Sequence, residues 1–262
     1  MAFETFVRCL DKVPPRETVV FSGMAEPWLN PDCTRMLEYA VGRGHAVEVF
    51  TTLVGMSESD YAALKAASPR VLCLHVPDAE GNARFPADDG FRRILDQALD
   101  DVLSGALRVT SFSCHGQVRP DLRERIGRSG VPVIDEMHDR AGNLEDPAAR
   151  HERRRVRGSA VCTRCRGTSL NNNLLLPDGT VVLCCMDYGL RHPLGNLLHD
   201  GYAEVTDGPA KRRCREMLAS ERAGEIICRR CISCKPAWQW RLYRIPLVRL
   251  LCGPGVSRFL TA

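Results

Sequence analysis

Residues 19–52 read VVFSGMAEPWLNPDCTRMLEYAVGRGHAVEVFTT, and this stretch decides the fold. A β-branched run at 18–22 ends in a Gly- and Pro-containing segment, and a second run, AVEVFTT, occupies 46–52. Between them apolar residues recur at helical spacing. Pro31 stands near the first turn, where a missing N–H is tolerated, and glycines follow the end. Strand, helix and strand in this order make a βαβ unit with parallel strands. The rhythm continues downstream. SESDYAALKAA (57–67) is a helix with Ser57 as its cap, and RVLCLHV (70–76) is a strand. A helix around 88–103 carries Phe91, Ile94, Leu95, Ala98, Leu99 and Val102 at helical spacing. LRVTSFS (107–113), a helix near 120–128 and VPVID (131–135) complete five strand–helix steps. The predicted class is α/β, with a parallel sheet that is either open or a partial barrel. The chain itself starts on an amphipathic helix with Phe3, Phe6, Val7 and Leu10 on one face. The strand that would precede this helix in a βα array is therefore missing.

Composition narrows the function classes. A chain of 262 residues holds one large domain, or one domain and a small module. The net charge of +4 is too small to argue for nucleic acid. The basic run RHERRRVR lacks the aromatic residues on which bases would stack, and a nucleic-acid partner is not expected. No secretory signal is visible and no run of about 18 apolar residues occurs. The expectation is a cytoplasmic protein without a membrane span.

After Asp135 the texture becomes polar and irregular. The predicted organisation is a (βα) domain over 1–145, a basic linker over 146–158, a second module over 159–236, and an amphipathic helix or tail over 237–262. Inside the second module NNNLLLPDGTVVLCC is a β-hairpin signal, with Gly179 able to supply a positive φ in the turn. DGPAKRRCREMLASER reads as one helix capped by Asp207.

Thirteen cysteines remain to be explained, and their clustering in a cytosolic chain points to metal or redox chemistry rather than to disulfides. The candidate ligands are Cys162 and Cys165, Cys184 with its neighbour Cys185, and Cys228, Cys231 and Cys234 in CRRCISC. Two close-spaced thiol groups separated by a hairpin and a helix form the plan of a four-thiolate site, which suits zinc or an iron–sulfur cluster. Strand alternation sends Cys185 to the face opposite Cys184 unless the strand ends between them. Cys9, Cys33, Cys73, Cys114 and Cys252 are scattered and read as core filler. Asp187 reads as a turn or hydrogen-bonding residue, and His192 as a surface or packing residue.

Thirteen residues separate Cys165 from Gly179 and four separate Gly179 from Cys184. This spacing resembles the signature of the SPASM and twitch modules appended to radical S-adenosylmethionine (radical SAM) enzymes. PDGTVVLCCMD followed by HPLGNLL is similar to the centre of that signature, and those modules close with a C-x-x-C. The upstream βαβ unit resembles the same family. Its G-G-E-P-type segment is matched by Gly23, Met24, Ala25, Glu26 and Pro27, with FTT and DRAGNL as further points of likeness. The resemblance implies an incomplete radical-SAM-type barrel lacking its first strand, joined to a cysteine-rich SPASM/twitch-like domain. It implies an auxiliary [4Fe–4S] cluster on Cys165, Cys184, Cys228 and Cys231, with Cys162 and Cys234 as replacements. It further implies that Glu26 and nearby backbone hold the ammonium of S-adenosyl-L-methionine, and that the substrate is a peptide or small molecule.

The resemblance also exposes a gap. The C-x(3)-C-x(2)-C loop that holds the catalytic cluster in that family occurs nowhere in the 262 residues. The chain is then either a shortened or mis-started form of an active enzyme, or a degenerate member that kept only the auxiliary cluster. Two rival readings stand beside it. One is a zinc-stabilised binding module; the other is a non-catalytic partner that binds a peptide or a complete radical SAM enzyme. The partners expected are such a companion subunit or an electron donor.

Overall fold

The computed structural model of the protein describes residues 1–86, 88–134, 141, 155–165 and 167–243. The chain divides into two compact units, Met1–Met137 and His138–Ala262.

The first unit runs α1 (Phe3–Leu10), β1 (Val19–Phe21), α2 (Cys33–Gly42), β2 (Val47–Thr51), α3 (Glu58–Ala67), β3 (Val71–His75), α4 (Asp89–Ser104), β4 (Ser111–Ser113), α5 (Pro120–Ser129) and β5 (Val133–Ile134). All neighbouring strands pair in parallel, with Val19 opposite Val47 and Phe50 opposite Cys73. Strand order follows chain order from β1 to β5, without the reversal that marks a doubly wound sheet. The sheet is packed by the apolar faces of its helices. Leu37 and Ala40 of α2, Tyr61 and Leu64 of α3, and Ile94, Ala98 and Leu99 of α4 bury themselves in one core with Val49, Leu72, Leu74 and Phe112. The predicted cap of α3 is present as a reciprocal pair: Asp60 N–H donates to Ser57 Oγ at 3.2 Å, and Ser57 N–H donates to Asp60 Oδ2 at 2.9 Å. Cys9, Cys33, Cys73 and Cys114 are buried, as core filler would be.

One predicted strand shrinks. Of residues 107–113 only Ser111–Ser113 pair as a strand. Just before it Thr110 N–H donates to the Leu72 carbonyl at 2.8 Å, while Thr110 Oγ1 donates to the same carbonyl at 2.7 Å and accepts from Leu72 N–H at 2.8 Å. A hydroxyl can do both, so Leu72 N–H is met by a side chain where a regular ladder would supply a carbonyl.

The second unit contains β6 (Ala160–Cys162), β7 (Leu174–Leu175), β8 (Thr180–Val182), β9 (Pro193–Asn196), α6 (Tyr202–Asp207), α7 (Pro209–Ala219), β10 (Cys234–Pro236) and α8 (Ala237–Tyr243). β7, β8 and β9 form an antiparallel sheet, and β6 pairs with β10. The β7–β8 hairpin turns through Gly179, whose φ of +84° is the conformation expected of it. A Cβ there would also lie 2.7 Å from Leu198 Cγ, so both the turn and its packing select glycine. The helix predicted from Asp207 is α7, which runs Pro209–Ala219. Asp207 does not cap it but ends α6, a short helix the sequence pattern did not show, and the two are separated at Gly208–Pro209. Pro209 cannot donate into a preceding turn, and a Cβ on Gly208 would sit 2.0 Å from the Glu204 carbonyl oxygen.

Among the described residues no helix is long and apolar enough to cross a membrane. Asp135, most of DRAGNL, most of the basic segment, Cys252 and the tail beyond Tyr243 lie outside the described residues.

Candidate metal centre

Six cysteines from three chain segments line one cavity, whose empty space including its open mouth is about 360 Å³. They are Cys162, Cys165, Cys184, Cys228, Cys231 and Cys234, the same six that the sequence nominates. The rest of the wall is apolar: Leu170, Leu183, Met186 and Ile227.

Each thiol is placed by short-range backbone geometry. Cys162 and Gly167 exchange both backbone hydrogen bonds at 2.9 Å, which closes the CTRC segment into a knuckle. Within it Cys165 N–H donates to Cys162 Sγ at 3.4 Å. Cys162 lies opposite Cys234 in the β6–β10 ladder, so the first and last cysteines of the module share one register. Cys231 N–H donates to the Cys228 carbonyl and Cys234 N–H to the Cys231 carbonyl, both at 3.0 Å. Two successive turns thus carry those three cysteines. Cys184 arrives by another route. Strand β8 ends at Val182, before either adjacent cysteine, and a turn closes with Asp187 N–H donating to the Cys184 carbonyl at 3.0 Å. The alternation argument for Cys185 therefore has no strand to act on. Cys184 carries a hydrogen bond to Cys185, which with burial pushes its thiol up.

The thiols are strongly coupled. Cys165 is held down as the thiolate of its pair, first by a hydrogen bond from Cys162, then by the amides of Asn172 and Asn171 and by Lys211. Cys162 is pushed up by that hydrogen bond, by burial and by the charge on Cys165. Cys228 rises well above the ordinary thiol range through burial and then the charges of Cys231 and Cys234. Burial and Cys231 raise Cys234 to about 12. So many thiolates cannot coexist in an apolar wall without cations, and a metal group supplies them by displacing the protons. The donor set thus fits a thiolate-bound metal group. Yet among the described residues no three His, Cys, Asp or Glu side chains converge on a point as ligands of a single ion would.

Outside the thiols, Asp187 is fully buried and its carboxylate accepts from Arg191 N–H at 3.0 Å and His192 N–H at 2.8 Å. His192 is half-buried, and its Nε2 accepts from Ile227 N–H at 3.3 Å, tying the Cys184 loop to the Cys228 turn. Burial pulls the imidazole below its usual range. Sequence reasoning missed two buried cations. Arg229 donates to the carbonyls of Met217, Leu218, Val156 and Gly158 at 2.7–3.2 Å. Lys211 of α7 is 1% exposed and donates to the Leu170 carbonyl and to Asn173 Oδ1. Burial lowers its ammonium to about 8, against the opposing pull of Cys165. An Arg or Lys in the polar face of a helix pattern reads as a solvated charge, so no local signal marks either.

In the first unit Gly23, Met24 and Ala25 form a bend after β1, with Gly23 at φ +145°. Glu26 follows, capping the single turn that starts at Pro27. Its carboxylate accepts four donors: Trp28 N–H at 3.2 Å, Thr51 Oγ1 at 2.7 Å, Thr52 N–H at 2.6 Å and Thr52 Oγ1 at 2.7 Å. This cross-brace joins the ends of β1 and β2 at the carboxyl edge of the sheet, where α/β folds place ligands. The four acceptor positions of the carboxylate are then engaged.

Residues 162–234 match the family model of SPASM, an iron–sulfur cluster-binding domain. No curated protein sequence matches the chain. Among solved structures, that of BtrN in complex with AdoMet and 2-DOIA is similar at a TM-score of 0.55 and 14% identity, over 88% of this chain and 80% of that one. BtrN in an open conformation is similar at a TM-score of 0.50 and 12% identity, over 88% and 79%. The SPASM match thus concerns residues 162–234, and the likeness to BtrN concerns the fold.

Proposed function

We propose that this chain is a radical SAM/SPASM-type iron–sulfur protein whose 162–234 module holds an auxiliary [4Fe–4S] cluster. Cys165, Cys184, Cys228 and Cys231 are its ligands, with Cys162 and Cys234 adjacent. The observation that carries the reading is the ring of six thiols around one apolar cavity within the stretch that matches the SPASM domain. The match of this stretch to an iron–sulfur cluster-binding domain favours a cluster over zinc. When bound, the cluster supplies one-electron transfer and iron able to accept a ligand.

The first unit fits a partial (βα) barrel, because its strand order advances without reversal. BtrN binds AdoMet in its solved structure, and the Gly23–Pro27 segment is the place in this chain where S-adenosyl-L-methionine would bind. The substrate is a peptide or small molecule, met by the chain together with a complete radical SAM subunit or an electron donor.

Anaerobic reconstitution with iron and sulfide tests the cluster. The expected product is a brown protein with equal iron and acid-labile sulfide. A colourless protein with stoichiometric zinc and no sulfide uptake would return the reading to the zinc module.

A further inference from the structure

Lys211 is the feature that a thiolate site alone does not explain. Lysine is almost never fully buried without a partner of opposite charge. Here the ammonium is 1% exposed, its two hydrogen-bond acceptors are neutral, and among the described residues it makes no ion pair with a carboxylate. A neutral donor would serve those acceptors at lower desolvation cost. The charge must therefore be matched by something behind the wall it supports. That wall is the cavity: Leu170, whose carbonyl receives Lys211, lines it directly. Asn173 fixes the ammonium from the other side at 2.9 Å, while its amide donates to the Leu170 carbonyl at 3.0 Å and the Leu183 carbonyl at 2.8 Å. Leu183 is also a wall residue and directly precedes Cys184. The cation is held one layer behind the thiols, where its burial keeps bulk solvent from screening it.

Resting on the cluster assignment above, we propose that Lys211 is a positioning residue that sets the reduction potential of the auxiliary site. A four-thiolate cluster is anionic, and accepting one electron makes it one unit more negative with no bond made or broken. A buried cation stabilises the reduced form more than the oxidised one, so it raises the potential and eases reduction by a low-potential one-electron donor.

The test uses the full chain reconstituted with iron and sulfide, titrated anaerobically with dithionite and mediator dyes, and read by EPR. K211M keeps the aliphatic stem and removes the charge. At equal cluster content its oxidised-to-reduced ratio should shift at least about tenfold toward oxidised at a given potential, about 59 mV for one electron. K211R restores the charge and should lie near the wild type. N173D leaves Lys211 in place but sets a negative charge against it, and should shift the same way as K211M. It keeps the idea testable if K211M fails to hold the cluster. A wild-type midpoint in K211M or N173D, or an equal displacement in K211R, overturns the proposal. A wild-type chain that takes up no iron or sulfide overturns the cluster assignment itself, and this one with it.

Discussion

At the scale of single residues, the site separates cysteines by environment rather than by type. Cys214 is as buried as Cys165, yet it sits inside α7 and does not line the cavity. Replacing Cys165, Cys184, Cys228 or Cys231 with Ser should abolish most iron uptake, whereas Cys214→Ser should retain it, as counted by iron and sulfide analysis. Glu26 permits a test independent of metal. Glu26→Gln keeps the shape but turns one acceptor oxygen into a donor facing the Thr51 and Thr52 hydroxyls or amide. A loss on the order of 1–3 kcal/mol is expected in urea unfolding. His192 gives a pH signature. Its folded pKa lies below the usual 6.5, so the folded state binds fewer protons there than the unfolded one. Its contribution is fully present above about pH 6.5 and is lost as pH falls below that toward the folded pKa. The apo-protein should lose urea resistance between neutral and mildly acidic pH, and His192→Gln, which can still accept from Ile227 N–H, should flatten that part of the curve. Glu26 was legible in sequence through its motif. Its threonine partners entered only as part of a resemblance, because hydrogen bonds across 25 residues leave no local spacing to read.

Among elements, short-range rules predicted well where the decisive contacts are local. Ser57 was readable as a cap because its partner is three residues away, and Ser57→Ala should cost about 1 kcal/mol. Gly179 was readable as a turn, but the packing behind it was not. Gly179→Ala combines a positive φ with a Cβ 2.7 Å from Leu198. It should destabilise the second unit by about 1–3 kcal/mol and lower cluster loading, because the hairpin delivers Cys184. Thermal melts with iron quantification would separate those effects. The short helix α6 before Gly208 went unread because its six residues include β-branched Val205 and Thr206, and only the approach of Gly208 to Glu204 shows that the chain turns there.

For the whole molecule, the two compact units predict two responses to metal. Binding that involves folded residues alone stabilises the fold that holds them. Reconstitution should raise the melting transition of the 138–262 unit, chelation should reverse it, and the 1–137 unit should melt unchanged. With S-adenosylmethionine and reductant the chain by itself should release no 5′-deoxyadenosine, since no C-x(3)-C-x(2)-C cluster loop occurs in it; detection of that product by chromatography would refute this. The sequence by itself determined the parallel α/β rhythm, the hairpin and the six cavity cysteines. All three are written in periodicity and close spacing, which act over a few residues. Tertiary structure alone decided that Glu26 braces two strands, that Cys184 leaves its strand before turning, and that Lys211 and Arg229 are buried. These depend on which distant segments meet, and burial changes a charge from a solvated surface group into a strong local field.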